Sequence, residues 1–178
     1  LNPSSIGSIL GNLIPENAII VDESVSTGRE FFPITEGSRP HTWLSNCGGS
    51  IGFALPAATG ASMACPDRKV IALEGDGSGM YTLQSLWTIA RENLDVTILI
   101  FANQSYRILH GELNNVGVQN PGPSAINMLT LNNPPLDWVS LSKGMGIDAK
   151  KVNNTDQLYS IFKDALNSKG PFLIEVMI

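Results

Sequence analysis

The chain has 178 residues, enough for one domain around one core. Hydrophobic residues make up 43% and charged residues 15%, which fits a folded globular chain and excludes a disordered one. Lys plus Arg number 11 against 16 Asp plus Glu, a net charge of −5 with no basic run, so nucleic acid is excluded as a partner, and apolar runs such as Val70–Leu73 and Ile98–Ala102 are too short to cross a membrane.

The first helical pattern covers Ser4–Leu13. Ala18–Asp22 (AIIVD) reads as a buried strand, and His41–Ser45 as a weaker one. Gly52–Ala64 is rich in small residues and reads as a helix packed tightly on a sheet, with Pro56 near its first turn. Lys69–Glu74 (KVIALE) is the next strand. Leu83, Leu86, Trp87 and Ala90 then mark one apolar face of a helix from about Tyr81 to Asn93. Val96–Ala102 (VTILIFA), apolar but for Thr97, is the next strand. Gly111–Pro135, rich in Asn, Gly and Pro, shows little periodicity and reads as a long loop: a lid, a binding loop, or a surface excursion or oligomer contact. Ile147–Val152 and Phe172–Met177 are the last strands. Between them lies a helix carrying Leu158, Ile161, Phe162, Ala165 and Leu166, with Thr155 as its expected N-cap. Six short β-branched runs alternating with helices predict an α/β fold: a doubly wound, mainly parallel six-stranded sheet with helices on both faces.

Two cysteines, Cys47 and Cys65, lie 18 positions apart without a CxxC, and the only histidines are His41 and His110. That composition argues against a zinc site. Both cysteines are expected to be small core thiols in a reducing compartment, which predicts a cytoplasmic protein. The sequence starts at Leu1 with no Met and no targeting pattern, so residues 1–178 are expected to be one domain cut from a longer polypeptide. Trp43, Trp87 and Trp138 are expected in the core or at an interface.

The sharpest segment is Leu73-Glu74-Gly75-Asp76-Gly77-Ser78-Gly79, between the strand ending at Glu74 and the helix near Tyr81. A glycine-rich strand-to-helix turn leaves backbone N–H groups free to meet phosphate. Asp76 would repel that phosphate unless a divalent cation sat between them, with the carboxylate as a hard oxygen ligand. The next strand delivers Asn103-Gln104-Ser105, and strand ends of a parallel sheet lie side by side. Asn103 can thus offer its amide oxygen to the same cation, and a carbonyl of the following turn, Ser105 first, can complete the set. The 27 positions from Asp76 to Asn103 are one turn, one helix and one strand. A dinucleotide fingerprint is disfavoured, because Met80 holds the third glycine position and Asp95 begins the next strand instead of ending it. No Lys-Ser/Thr follows the glycines, and the spaced acids of an EF-hand are absent.

Taken together, Gly75-Asp76-Gly77-Ser78 and Asn103-Gln104-Ser105-Tyr106 resemble the thiamine diphosphate signature. With Gly49-Ser50-Ile51-Gly52-Phe53-Ala54-Leu55-Pro56-Ala57-Ala58 and Ser85-Leu86-Trp87-Thr88, nearly the whole chain resembles the C-terminal, diphosphate-binding domain of the family of acetolactate synthase, benzoylformate decarboxylase and pyruvate decarboxylase. The resemblance implies thiamine diphosphate and Mg²⁺ as cofactors, with FAD possible on a missing domain. It implies that Asp76, Asn103 and the Ser105 carbonyl ligate the metal. Gly75, Gly77, Ser78 and Tyr106 would meet the diphosphate, and Val25 and Ser26 its far phosphate. Gly49 would accept a hydrogen bond from the aminopyrimidine through its carbonyl, and Ile51 would wedge the cofactor into a bent shape.

The same resemblance implies a 2-oxo acid substrate and chemistry carried by the cofactor. It implies a partner: a pyrimidine-binding domain of the same or a neighbouring subunit, which brings a glutamate, within a homodimer or tetramer. Glu23 and Glu74 are acids of this chain, but the family pattern gives neither that role. This chain alone is expected to bind diphosphate and Mg²⁺ weakly and to catalyse nothing, with His110 as a candidate substrate contact or proton shuttle. Three readings follow: an acetolactate synthase-like carboligase, a decarboxylase of benzoylformate decarboxylase type, and a non-catalytic diphosphate-binding module. The sequence departs from the family at Gln104, where a second Asn is usual, at Arg107, where Gly is frequent, and in lacking a clear substrate-side Trp motif in Ile108–Gly122.

Overall fold

A computed structural model describes all residues, 1–178. Six parallel strands, β1 (Ile19–Glu23), β2 (Thr42–Ser45), β3 (Val70–Gly75), β4 (Val96–Ala102), β5 (Asp148–Val152) and β6 (Phe172–Met177), form one sheet in the order β2-β1-β3-β4-β6-β5. β3 and β4 are buried almost throughout, because helices cover both faces. The edge strands β2 and β5 carry exposed polar side chains.

Alternation along each strand sends side chains to two cores. On one face Ile20, Ile71, Leu73, Leu99, Phe101, Ile174 and Val176 pack against α1 (Pro3–Leu13), Phe31 of α2 (Phe31–Ile34) and α9 (Thr155–Asn167). On the other, Val21, Val70, Ala72, Ile98, Ile100 and Leu173 meet α3 (Ala54–Ala64), α5 (Ser85–Arg91) and Trp138 of α8 (Trp138–Gly144). The two clusters hold 17 and 16 buried residues, so the sheet is covered nearly equally from both sides. No helix is long and apolar enough to cross a membrane.

The structure corrects several sequence expectations. The glycine-rich turn is itself helical: β3 runs on to Gly75, and α4 (Asp76–Gly79) starts at the next residue. The helix expected over Tyr81–Asn93 is regular only from Ser85, after a run of i+3 turns through Thr82 and Leu83. Its buried residues are Leu86 and Ile89. Trp87 is 52% exposed beneath the Arg91 guanidinium, while Trp138 is fully buried and Trp43 partly so. Asn154, not Thr155, caps α9: its extended backbone lets Oδ1 accept from Gln157 N at 2.9 Å. The cysteines are not core thiols. Cys47 is exposed in the loop after β2, and Cys65, at the C-terminal end of α3, is half-buried. The stretch 111–135 is not one irregular loop. It contains the end of α6 (Arg107–Asn115) and all of α7 (Pro123–Leu129), neither with a buried residue; Ile108, Leu109 and Leu113 give α6 an apolar side that the Asn, Gly and Pro content of the stretch obscured.

Candidate functional site

From β1 the chain moves outward to β2, then returns to lay β3 on the other side of β1. In a parallel sheet, the carboxyl ends at such a reversal border a crevice. Four loops leave this edge: 24–30 after β1, 46–53 after β2, α4 after β3, and 103–106 after β4. Every sequence-predicted site residue except His110 lies at the end of β3 or in one of these loops; His110 follows, half-buried, on α6.

Asp76, first residue of α4, is 2% exposed. Its Oδ2 accepts the Gln104 N–H at 2.6 Å, which joins the β3 and β4 turns directly. Burial pushes Asp76 up from 3.8 to about 6, against the opposing pull of the Gln104 and Gly77 N–H groups. Asn103 Oδ1 accepts from Ser105 N at 2.9 Å, an Asx turn that bends the chain back, and Gln104 has φ +54. The end of α7 (Pro123–Leu129) and the residues just after it hold this turn in place. Tyr106 N donates to Leu129 O at 2.9 Å, Leu131 N to Gln104 O at 2.8 Å, and Ser105 Oγ to Leu129 O at 3.1 Å.

Tyr106 lies against Gly77. A Cβ on Gly77 would stand 2.7 Å from Tyr106 Cε1, so glycine is needed for this close approach. The Ser78 hydroxyl turns inward and donates to Glu74 Oε1, which also takes the Gly75 N–H at 3.0 Å. What Ser78 offers outward is therefore its backbone N–H and not the hydroxyl.

The other two loops reach the edge with less contact. Val25 has φ +43 and is 45% exposed. Ser24 beside it is tied to Asp22 Oδ1 by both backbone and hydroxyl. No hydrogen bond links Val25 or Ser26 to Asp76, Asn103 or Tyr106; they share only the sheet edge. Gly49 is exposed at φ +66, and Ile51 is 57% exposed, an apolar side chain with no packing partner to explain it.

These donors fit a hard divalent cation. A buried carboxylate with one oxygen on an N–H, a side-chain amide oxygen and a turn carbonyl are oxygen ligands of the kind magnesium takes, with phosphate oxygens and water for the rest. No three His, Cys, Asp or Glu side chains gather elsewhere as an alternative metal centre.

Residues 25–176 match the family described as thiamine pyrophosphate enzyme, C-terminal TPP binding domain. The chain belongs to this family. It is 44% identical, over 100% of its length and 35% of the relative's, to the protein provisionally named acetolactate synthase large subunit IlvX of Mycobacterium tuberculosis. It is 33% identical to benzoylformate decarboxylase of Pseudomonas aeruginosa over 99% of this chain and 32% of that one. Among solved structures, a thiamine diphosphate-dependent 4-hydroxybenzoylformate decarboxylase of Rhodococcus jostii RHA1 superposes with a TM-score of 0.86 at 33% identity, covering 99% of this chain and 32% of that one. The chain thus spans about a third of the length of these relatives.

One feature of this thiamine pyrophosphate-binding domain escapes sequence reading. Strand register aligns Glu23 with Glu74, Glu74 with Ile100, and Ile100 with Glu175, so three glutamates, at most 2% exposed, lie in one row on one face of the sheet. Burial first, and then the Glu23 charge, holds the Glu74 carboxyl well above the usual carboxylate range. Lys151 reaches Glu175 at 3.0 Å. The available signal was an acid at or near the end of each of three buried strands, since a buried carboxylate demands hydrogen bonds or a counter-charge.

Proposed function

We propose that this chain holds the diphosphate and magnesium within an enzyme that decarboxylates a 2-oxo acid and joins the product to a second 2-oxo acid, as an acetolactate synthase-like carboligase. The observation that carries this reading is Asp76, a buried carboxylate at the mouth of a glycine-rich turn, bonded to the turn that presents Asn103. Asp76, Asn103 and the Ser105 carbonyl would ligate Mg²⁺. Gly77 and Ser78 would offer backbone N–H groups to the diphosphate beside Tyr106, with Val25 and Ser26 at its far phosphate; Gly75, whose N–H Glu74 already takes, would only shape the turn beneath it. The Gly49 carbonyl would orient the aminopyrimidine and Ile51 would wedge the ring system. When bound, thiamine diphosphate supplies the nucleophile and the electron sink for loss of CO₂. His110 is the chain's candidate for touching substrate.

The activating glutamate comes, in this reading, from a pyrimidine-binding domain of the same or a neighbouring subunit, so the working form is a homodimer or tetramer and these 178 residues alone catalyse nothing. The two unpaired cysteines suit a cytoplasmic setting. Relatedness to benzoylformate decarboxylases at 33% identity over nearly the whole chain supports a second reading, simple decarboxylation without ligation. The test is calorimetric titration of the full-length protein with Mg²⁺ and thiamine diphosphate, followed by product analysis with pyruvate and with benzoylformate. Acetolactate from pyruvate is the expected product. Aldehyde alone would shift the assignment to the decarboxylase, and absence of cofactor binding would refute both.

A further inference from the structure

Glu23 ends β1 and is 2% exposed. Its carboxylate oxygens serve two different amides, one in the loop after β2 and one at the start of α3: Oε1 accepts the Gly52 N–H at 2.8 Å and Oε2 the Ala54 N–H at 2.8 Å. Asn46 Nδ2 lies 3.4 Å from Oε1. The helix beginning at Ala54 has no cap of its own, because Phe53 at the N-cap is in helical conformation with no side-chain bond. Glu23, 31 residues upstream, is the cap instead.

Gly52 is held from its other side as well. Its carbonyl accepts from Thr82 Oγ1 at 2.9 Å, and a Cβ at its φ of +84 would stand 2.9 Å from Tyr81 Cβ. Upstream, Asn46 clasps Ser50 in both directions at 3.0 Å, donating to its carbonyl and accepting from its N–H. The span between these anchors is residues 47–51, which contains Gly49 and the exposed Ile51. Charge-assisted bonds to backbone N–H groups are short and directional, so they fix where a loop stands more firmly than apolar packing does.

We propose that Glu23 is a positioning residue. Its carboxylate sets the loop that carries the Gly49 carbonyl and the Ile51 side chain, and so governs the grip on the aromatic half of thiamine diphosphate while leaving the diphosphate end alone. The inference rests on the cofactor reading above and goes beyond it by assigning an acid of this chain to a task. The diphosphate end is assigned to other groups, the turns carrying Asp76 and Asn103 and, at the far phosphate, Val25 and Ser26, none of which bonds the Glu23 carboxylate, so the two ends can be separated by experiment.

The test compares two probes on full-length protein by calorimetry: Mg²⁺ with thiamine diphosphate, and Mg²⁺ with inorganic pyrophosphate. Glu23→Gln keeps the shape but gives one of the two N–H groups an amide in place of an oxygen. It is expected to weaken thiamine diphosphate binding by about tenfold or more, with pyrophosphate binding within about twofold of wild type. Exchange of the Gly52 and Ala54 amide hydrogens should accelerate by about tenfold or more. Thr82→Val, which releases the same loop without altering the charge that faces Glu74, should move the same probe in the same direction by about threefold. It carries the test should Glu23→Gln fail to fold by circular dichroism. Equal losses for both probes, or faster exchange with unchanged affinity for both, would overturn the positioning role. Wild-type protein that binds neither probe would sink the cofactor reading together with it, whereas wild-type binding with unaltered variants would sink the positioning role alone.

Discussion

Replacing Asp76 by Asn should make the metal-free protein more stable and, at the same time, deprive it of its ligand response. In the folded chain Asp76 keeps its proton up to about pH 6; in the unfolded chain it loses it near 3.8. Between those values the folded state binds more protons than the unfolded one, so stability falls as pH rises through the window and stays lowered above it. A rise from 3.8 to about 6 corresponds to about 3 kcal/mol of destabilisation at pH 7. Asparagine removes this penalty and keeps an oxygen for the Gln104 N–H, but leaves an amide NH₂ in a buried site, so a net gain of about 1–3 kcal/mol is expected. In a chain of this length that is a rise of a few to about ten degrees in Tm. Burial and the Glu23 charge hold Glu74 high, which gives the variant a residual fall with the same sign.

The assay is a series of thermal melts of wild type and Asp76→Asn in chelator from pH 4 to 8, repeated with Mg²⁺ and thiamine diphosphate. The two proteins should coincide near pH 4 and separate by pH 7, with the variant higher. Added cofactor should raise the wild-type Tm by mass action and leave the variant unmoved. A variant no more stable than wild type at pH 7 would refute the burial argument. A variant stabilised by cofactor as much as wild type would refute the ligand role of Asp76.

Gly77→Ala drives a methyl into the Tyr106 ring at 2.7 Å and should cost about 1–3 kcal/mol in urea unfolding; adding Tyr106→Ala should restore stability but not cofactor affinity. Lys151→Met leaves Glu175, 1% exposed, without its cation. Because the lysine is half-exposed and screened, the loss should be only about 1–2 kcal/mol by the same measurement, and adding Glu175→Leu should recover it. Phe162→Ala opens a void between α9 and the sheet, on the face opposite the Glu23, Glu74 and Glu175 row, and should lower stability by about 3–5 kcal/mol without changing cofactor affinity in the fraction that stays folded.

The sheet was legible because its burial is one-dimensional information. Val96–Ala102 is apolar at every position but Thr97 since both faces are covered, and no helix of that composition would be only seven residues long. The adjacency of two turns was legible for a related reason: strand ends of a parallel sheet are neighbours whatever the packing, so the turns carrying Asp76 and Asn103 had to lie side by side. What stayed hidden depends on register or on surface. The Glu23, Glu74 and Glu175 row exists only because β1, β3, β4 and β6 align in one phase, and α6 and α7 are short helices without a buried residue, set among Asn, Gly and Pro that read as loop.

Local rules break where the site is. Val25, a β-branched residue at φ +43, and Gln104 at φ +54 both adopt a backbone region that side chains other than Gly, Asn and Asp rarely enter. Each follows the carboxyl end of a strand, β1 and β4, in a turn proposed to meet the cofactor. At Gln104 the opposing force is visible: the strained residue aims its N–H at Asp76 Oδ2 and its carbonyl at Leu131 N. Relaxing that φ would turn both groups away and separate the two turns that bring Asp76 and Asn103 together. The strain at Gln104 and the burial of Asp76 are therefore two halves of one arrangement. The folded chain sustains an unfavourable carboxylate and an unfavourable backbone in the same place, and a cation bound there would relieve the first while the hydrogen bonds hold the second.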